Sequence, residues 1–472
     1  MPANYLHGVE TIEVEIGGQS VNIVKSSVVA IIGIAPEGPV NALTLCNNAT
    51  DDAQFGKTVP GFNIPKTLQI IRAIAKGSPI LVVNVFDANT NTTLITDETQ
   101  QVTGGALKLA YCPIGAVTVK NADGTVATIA IGTDYTIDDF GNFVALSSNV
   151  VNGTTYKFTY RKLNDSSVTP TQLIGGIDVN GTRTGMALFD LAFNVYGFNP
   201  KIFLSPNYSS LSAIASAFAT AASKFRSIYL LDAGYGLSVQ QAIAGRGVSG
   251  NLIFNTSDER AYLLYPYLKA YDDYAGADQD YPYSAFMAGV IIATDLNFGY
   301  WFSPSNKQIT AATGVERTIQ WAINDPNCEA NLLNAAGITT IAQGYGTGTL
   351  SWGNRNASFP TSGSIKNFVA TRRCDDMVVE SLELAALPYI DSPLTQALID
   401  TIREAGNQFM RTLIGRDAIL SGSRVIYNPD DNAASQLASG QVVFERIYCT
   451  STPAERITYK SILDITLLNQ FK

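Results

Sequence analysis

The chain is short of the residues on which most hydrolytic and metal chemistry depends. Among its 472 residues there is one histidine, His7. A Ser-His-Asp or Cys-His system needs an imidazole inside a folded cleft. His7 precedes the first segment with a folding pattern, which argues against histidine-based hydrolysis and against His-ligated zinc. The five cysteines, at 46, 112, 328, 374 and 449, stand far apart with no Cys-x-x-Cys. That is the usage of reduced, buried thiols, not of a disulfide framework or zinc cluster. Charged residues make up 15% and the net charge is −9, so the basic footprint of a nucleic-acid binder is missing. The most concentrated basic spots, Arg161-Lys162 and Arg372-Arg373, read as solvated or salt-bridged pairs. No stretch approaches the ~20 apolar residues that cross a bilayer, and the longest apolar-rich run, Ala285 to Ala293, reads as a buried strand. The opening Met1-Pro-Ala-Asn-Tyr-Leu-His7 leads into acidic residues, unlike the basic-then-apolar start of an export signal, so folding in a cytoplasm is expected.

Nucleotide motifs fail on context. Gly245-Arg-Gly-Val-Ser-Gly250 matches G-x-G-x-x-G, but a helix pattern precedes it and a strand pattern follows, the reverse of the dinucleotide fingerprint. Gly344-Tyr-Gly-Thr-Gly348 leads into Leu350-Ser-Trp352 and not into a helix. No Walker motif occurs. The paired acids Asp51-Asp52, Asp272-Asp273, Asp375-Asp376 and Asp430-Asp431 point in different directions on helix or strand and suit turns and helix starts. Trp301, Trp352 and the tyrosines from Tyr262 to Tyr283 read as core and subunit-interface packing. No cofactor or metal is implied.

What the sequence does contain is a large apolar fraction, 46%, enough for several cores in a chain too long for one. With so little charge, much of the surface is expected to be covered by neighbours in an assembly. Ile12, Val14 and Ile16 alternate with Glu13 and Glu15, a strand ended by Gly17-Gly18. Val28 to Ile34 and Ile80 to Phe86 are continuous apolar strands flanking a helix over Ile64 to Ala75, the start of an α/β unit. From about 100 to 165 the pattern changes to short alternating runs: Ala116–Lys120, Thr125–Ile131, Tyr135–Ile137, Phe143–Leu146 and Thr154–Tyr160. Turns at Asn121–Gly124, Asp139–Asn142 and Asn152-Gly153 separate them, which predicts an inserted all-β module. The α/β pattern resumes with strands at Lys201–Leu204, Ser227–Leu231, Asn251–Phe254, Met287–Ala293 and Gly337–Ile341, and helices at Ser210–Lys224 and Val239–Ala244. Beyond 365, Phe368–Arg373 reads as a strand and Asp375–Ala386 as a helix. Ser392-Pro393 reads as the cap and first residue of a helix running to about Leu413. Gln441–Tyr448 and Glu455–Ile462 read as strands, and Ile465–Leu468 as extended.

Several segments, in order along the chain, resemble contractile tail sheath proteins of Mu-like and other myophages and of R-type pyocins. They are Tyr5-Leu-His-Gly-Val-Glu10, Val28-Val-Ala-Ile-Ile-Gly-Ile-Ala-Pro-Glu-Gly-Pro39, Ala288-Gly-Val-Ile-Ile-Ala-Thr-Asp295, Gly299-Tyr-Trp-Phe-Ser-Pro-Ser-Asn306, Leu350-Ser-Trp-Gly-Asn-Arg355 and Phe368-Val-Ala-Thr-Arg-Arg373. Asn356 stands where the family usually carries Thr. The resemblance runs end to end and is weakest over 100 to 165.

It implies an α/β and α+β multidomain protein. The parts are an N-terminal arm (1–18), the first part of an α/β domain (19–99), an inserted β-sandwich (100–170), and a subtilisin-like α/β domain without a catalytic triad (171–355). A C-terminal tube-facing α+β domain (356–454) and a C-terminal arm (455–472) complete it. Asp232, at a strand end, stands where a subtilisin-like acid would sit, yet residues 175 to 355 hold no histidine; the chain is expected not to be an enzyme. The resemblance further implies hexameric rings stacked as a helical sheath around a tail tube, in a virion tail, with the tube, baseplate and tail terminator proteins as partners. Neither direct nucleic-acid contact nor membrane insertion is implied. Strand exchange between subunits would use Ile12, Val14 and Ile16 with a hinge at Gly17 and Gly18, and Ile457, Tyr459, Ile462 and Ile465 at the other end. Arg403, Arg411 and Arg416 are the candidates to face the tube. The alternatives are another self-assembling virion protein, a capsid or non-contractile tail component, and, more remotely, a hydrolase with a degenerate subtilisin-like domain.

Overall fold

The computed structural model describes residues 25–246, 255–344 and 346–471. The chain divides into two units: Lys25–Arg373 together with Thr452 onward, and Cys374–Ser451. The Ile12–Gly18 and Asn251–Phe254 readings lie outside the described residues.

The larger unit is built on an eight-stranded sheet. Its order is Gly348–Trp352, Ile338–Gly344, Ala261–Leu264, Ile228–Asp232, Ile202–Leu204, Val29–Gly33, Ile80–Asn84 and Thr44–Cys46. The six inner strands run parallel; the two edge strands are antiparallel. Val29–Gly33, Ile80–Asn84 and Ile228–Asp232 are buried along their whole length, which is why their sequences are unbroken apolar runs and not alternations. Val29 pairs with Ile80 on one side and Ile202 on the other, so the sheet grows outward in both directions from its first strand.

The run Ala285 to Ala293 is not a strand. It lies inside the helix Tyr283–Asn297, which is buried from Tyr283 through Ile292. A helix wrapped by protein on all sides loses its 3.6-residue polarity signal, so periodicity alone cannot tell it from a buried strand. Gly289 lets it lie close to the helix Ile64–Ile74, since a Cβ there would meet Ile74 Cβ at 2.9 Å. Phe368–Arg373 is likewise not a strand: the helix Val369–Ala386 begins there. Its neighbouring arginines take separate partners, Arg372 on Glu259 and Arg373 on Asp295.

Between Ile80–Asn84 and Ile202–Leu204 the chain builds an antiparallel module of two three-stranded sheets. Thr155–Leu163 lies between Thr92–Gln101 and Ile114–Asn121, and Asn142–Ala145 between Ala106–Lys108 and Tyr135–Ile137. Tyr135, Phe143, Tyr156, Phe158 and Tyr160 share one core, with Phe143 stacked on Tyr135 at 4.8 Å and edge-on to Phe158. The strand Thr92–Gln101 was not foreseen because Thr, Asp, Glu and Gln mask its alternation. Thr125–Ile131 forms only single bridges, at Val126 and Ile131; the Asp134 carboxylate accepts the Ala130 N–H and diverts the ladder. A hairpin, Leu268–Asp272 with Ala277–Tyr281, was also unforeseen.

In the smaller unit the helix Gln396–Ile414 starts later than Ser392-Pro393: Thr395 caps it, its hydroxyl accepting from Leu398 N at 3.2 Å. Asp391 turns the chain at a positive φ just before. Gln441–Tyr448 shrinks to Glu445–Ile447, paired with Arg424–Ile426. Glu455–Ile462 forms no ladder, and Ile465–Leu468 lies within a 3₁₀ helix, Ile465–Phe471, not an extended strand. An alternating segment becomes a strand only when another strand takes up its backbone donors and acceptors, and among the described residues none does.

Candidate functional site

The acid at the end of Ile228–Asp232 is sealed in protein. Asp232 accepts from Ser284 N (2.7 Å), Ser284 Oγ (2.5 Å) and Ser209 Oγ (3.0 Å), and both serines are fully buried. Burial is the larger influence and pushes the carboxyl up to about 6, against the pull of these donors. The two hydroxyls have their protons committed to this carboxylate, and the described residues include no imidazole. The cluster joins the start of the helix Tyr283–Asn297 to the sheet. No group of three or more His, Cys, Asp or Glu is placed to hold a metal among the described residues, and no described helix is long and apolar enough to cross a membrane.

A second buried acid, Asp295, joins three parts of the chain. Arg373 donates to both of its oxygens, Nη1–Oδ1 at 2.9 Å and Nη2–Oδ2 at 2.5 Å, while Ser26 and Ser27 hydroxyls reach Oδ2 at 2.8 and 3.0 Å. Arg373 Nη2 also donates to Ser26 O at 3.2 Å. The start of the described residues, at Ser26 and Ser27, is thereby fixed to one helix through Asp295 and another through Arg373. Sequence reasoning quoted Asp295 and Arg373 as motif residues without a role. The available signal was a lone carboxylate closing an apolar run.

At the other end, Ile457, Tyr459, Ile462 and Ile465 are 71–89% exposed. Among the described residues none of them joins a hydrophobic core. Just before them Glu455 takes both Nε and Nη2 of Arg355, the first at 3.0 Å. The tube-facing candidates stand on or just past the helix Gln396–Ile414. Arg403 pairs with Asp400 at 3.0 Å and Arg411 with Glu404 at 2.5 Å, while Arg416 is exposed. Ile399, Phe409, Met410 and Leu413 on the same helix are buried.

Among the described residues, the segment from Thr452 to Asp464 is an exposed stretch outside any ladder. Residues 181–357 match the family model for the phage tail sheath protein central domain. The tail sheath protein of Burkholderia phage BcepMu is 38% identical over 466 residues, covering 98% of this chain and 97% of that one. That of Escherichia phage P2 is 25% identical over 302 residues, 64% of this chain and 73% of its own. The helical sheath of the anti-feeding prophage, solved in its contracted state, shares the fold with a TM-score of 0.60 at 17% identity, over 98% of this chain and 100% of that one. A relative this similar over nearly the whole of both sequences places the chain in the phage tail sheath protein family, as a structural protein of the tail.

Proposed function

We propose that this chain assembles as stacked six-membered rings around the tail tube, and that the sheath it forms contracts to drive the tube through a host envelope for genome ejection. The observation that carries this reading is the exposed apolar segment from Ile457 to Leu468. So much uncovered Ile, Leu and Tyr outside any ladder is a strand donor awaiting an acceptor. The N-terminal alternation Ile12, Val14, Ile16, hinged at Gly17 and Gly18, is the matching donor at the other end. A donor and acceptor at different places on one surface give a head-to-tail contact that propagates as a helix.

A helical sheath of this fold exists in a contracted state in the anti-feeding prophage, and in this reading the bodies of the present chain repack as units. The arms stay joined while the bodies move between two lattices, the extended one kinetically trapped and the compact one lower in free energy through greater buried area. In this reading the eight-stranded sheet and its helices are a subtilisin-like domain that has kept the fold without a triad. The module between Thr92 and Leu163 is an inserted sandwich, and the six-part division at 18, 99, 170, 355 and 454 describes the working pieces. Tail tube, baseplate and terminator proteins are the partners, and assembly takes place in the host cytoplasm.

Chains lacking residues 1–18 or 456–472 are expected to stay as isolated bodies or loose rings. Negative-stain micrographs of connected striated tubes from either deletion would overturn the arm assignment. The Arg411→Glu, Arg416→Glu double variant is expected to fold and to polymerise poorly on tail tubes, because these exposed cations are assigned to the tube side; normal tail yield would move the tube contact elsewhere.

A further inference from the structure

Arg355 sits in a socket made before Glu455 arrives. Its guanidinium lies 3.6 Å from the ring centre of Phe368 and 4.7 Å from that of Phe359, and Nη1 donates to Asn367 Oδ1. The loop that carries these groups closes on itself: Asn356 N donates to Asn367 O at 2.8 Å and Val369 N to Asn354 O at 3.0 Å. Cation and walls are therefore held in place by the loop, leaving Nε and Nη2 as a fork aimed outward, the shape that binds a carboxylate with two parallel bonds. Glu455 fills the fork, yet its own side chain is 43% exposed while that of Arg355 is 17% exposed. The receiving half is walled by protein and the arriving half stands in solvent. From Thr452 to Asp464 no other side chain has a described ion pair to the body, and the segment forms no ladder.

We infer that Arg355 is a carboxylate latch that pins the root of the C-terminal segment to its own body at Glu455, so that the apolar stretch beyond swings from that point. This deepens the arm reading proposed above and rests on it for its purpose, though not for its geometry. Donating the end of a chain to a neighbour requires the end to be free and the root to be fixed. A half-exposed ion pair on a rigid cation supplies a hold that is definite in direction and weak enough to be surrendered.

The test is limited trypsin digestion of the full-length chain. Cleavage after Arg456 places Glu455 next to the scissile bond and needs the latch open, whereas cleavage after Lys460 lies beyond it. Arg355→Gln leaves the cleaved sequence untouched and is expected to raise the Arg456-to-Lys460 cleavage ratio roughly tenfold. Glu455→Gln is expected to do the same once corrected by synthetic peptides of residues 449–465 carrying Glu or Gln. High salt should raise the ratio in the parent chain but in neither variant. If Arg355→Gln fails to fold, Glu455→Gln, at an exposed site, decides alone. A corrected ratio within twofold of the parent in Glu455→Gln overturns the latch. The arm reading is judged separately by polymerisation of the 456–472 deletion, so the two can fail independently.

Discussion

Replacing Asp295 by Ala should lower the stability of the larger unit by about 3–5 kcal/mol, the cost of leaving one member of a buried ion pair without the other. The Arg373 side chain is 5% exposed and that of Asp295 is 1% exposed, so water cannot take over the guanidinium. Two serine hydroxyls lose their acceptor as well. The complementary expectation is that the double replacement Asp295→Leu, Arg373→Met recovers most of the loss, since a buried pair exchanged for apolar groups of similar volume is often neutral. Guanidinium unfolding of the parent, Asp295→Leu, Arg373→Met and the double replacement, a double-mutant cycle, would read a coupling of several kcal/mol. A single-variant loss below about 1 kcal/mol, the level of an exposed pair, would show that the site is wetter than its geometry. Asp295→Ala should also free Ser26, visible as faster amide exchange in residues 26–28.

The second large effect is a pH dependence of unusual sign at Asp232. Most native carboxylates are held charged and lend stability as the pH rises. Asp232 is the reverse case, because burial raises its folded-state carboxyl to about 6 from an ordinary value of 3.8. Its contribution is fully present below the unfolded value near 4. It declines as the pH rises towards 6, and above that the charged group costs the fold about 3 kcal/mol, two units at 1.36 kcal/mol each. Asp232→Asn removes the ionisation, and its amide can still donate to the serine oxygens. The variant should therefore gain on the parent as the pH climbs from 4 to 7, by roughly 2–3 kcal/mol. The difference between the two unfolding curves cancels the other carboxylates. A parallel pair of curves would mean that the three donors on Asp232 fully offset its burial, and a variant that loses on the parent as the pH climbs would mean that they outweigh it.

How legible the molecule was from its sequence depended on the environment each segment meets. Five of the six inner parallel strands were readable because each is buried on both faces, and a run such as Ile80-Leu-Val-Val has few other uses; the sixth, Ala261–Leu264, is equally buried but was read only as tyrosine-rich packing. The helix Tyr283–Asn297 was not, for the same reason: equal burial all round erases the one pattern that separates helix from strand. Phe368–Arg373 misled because its few residues carry no helical repeat by themselves and the helix declares itself only further on. The C-terminal end was read as strands from a real alternation, but alternation states what a segment could pair as, and pairing needs a second backbone. Asp295, Arg355 and Arg373 were visible as motif residues. Their roles were not, because Ser26, Phe359, Asn367 and Glu455 reach them only through the fold.

The position of Val29–Gly33 between Ile80–Asn84 and Ile202–Leu204 also bears on how the protein is made. As the chain leaves the ribosome, its first strand gains one neighbour early and waits more than a hundred residues for the other. Through that interval an open apolar edge is on display, with the antiparallel module emerging meanwhile. The sheet is finished only when Ile338–Gly344 and Gly348–Trp352 have appeared, since strands paired across such sequence distances form slowly. Residues from Thr452 onward emerge later still. A nascent chain thus has every strand of its sheet in hand before its C-terminal segment leaves the ribosome, so that exposed apolar stretch is never on display beside an unfinished sheet.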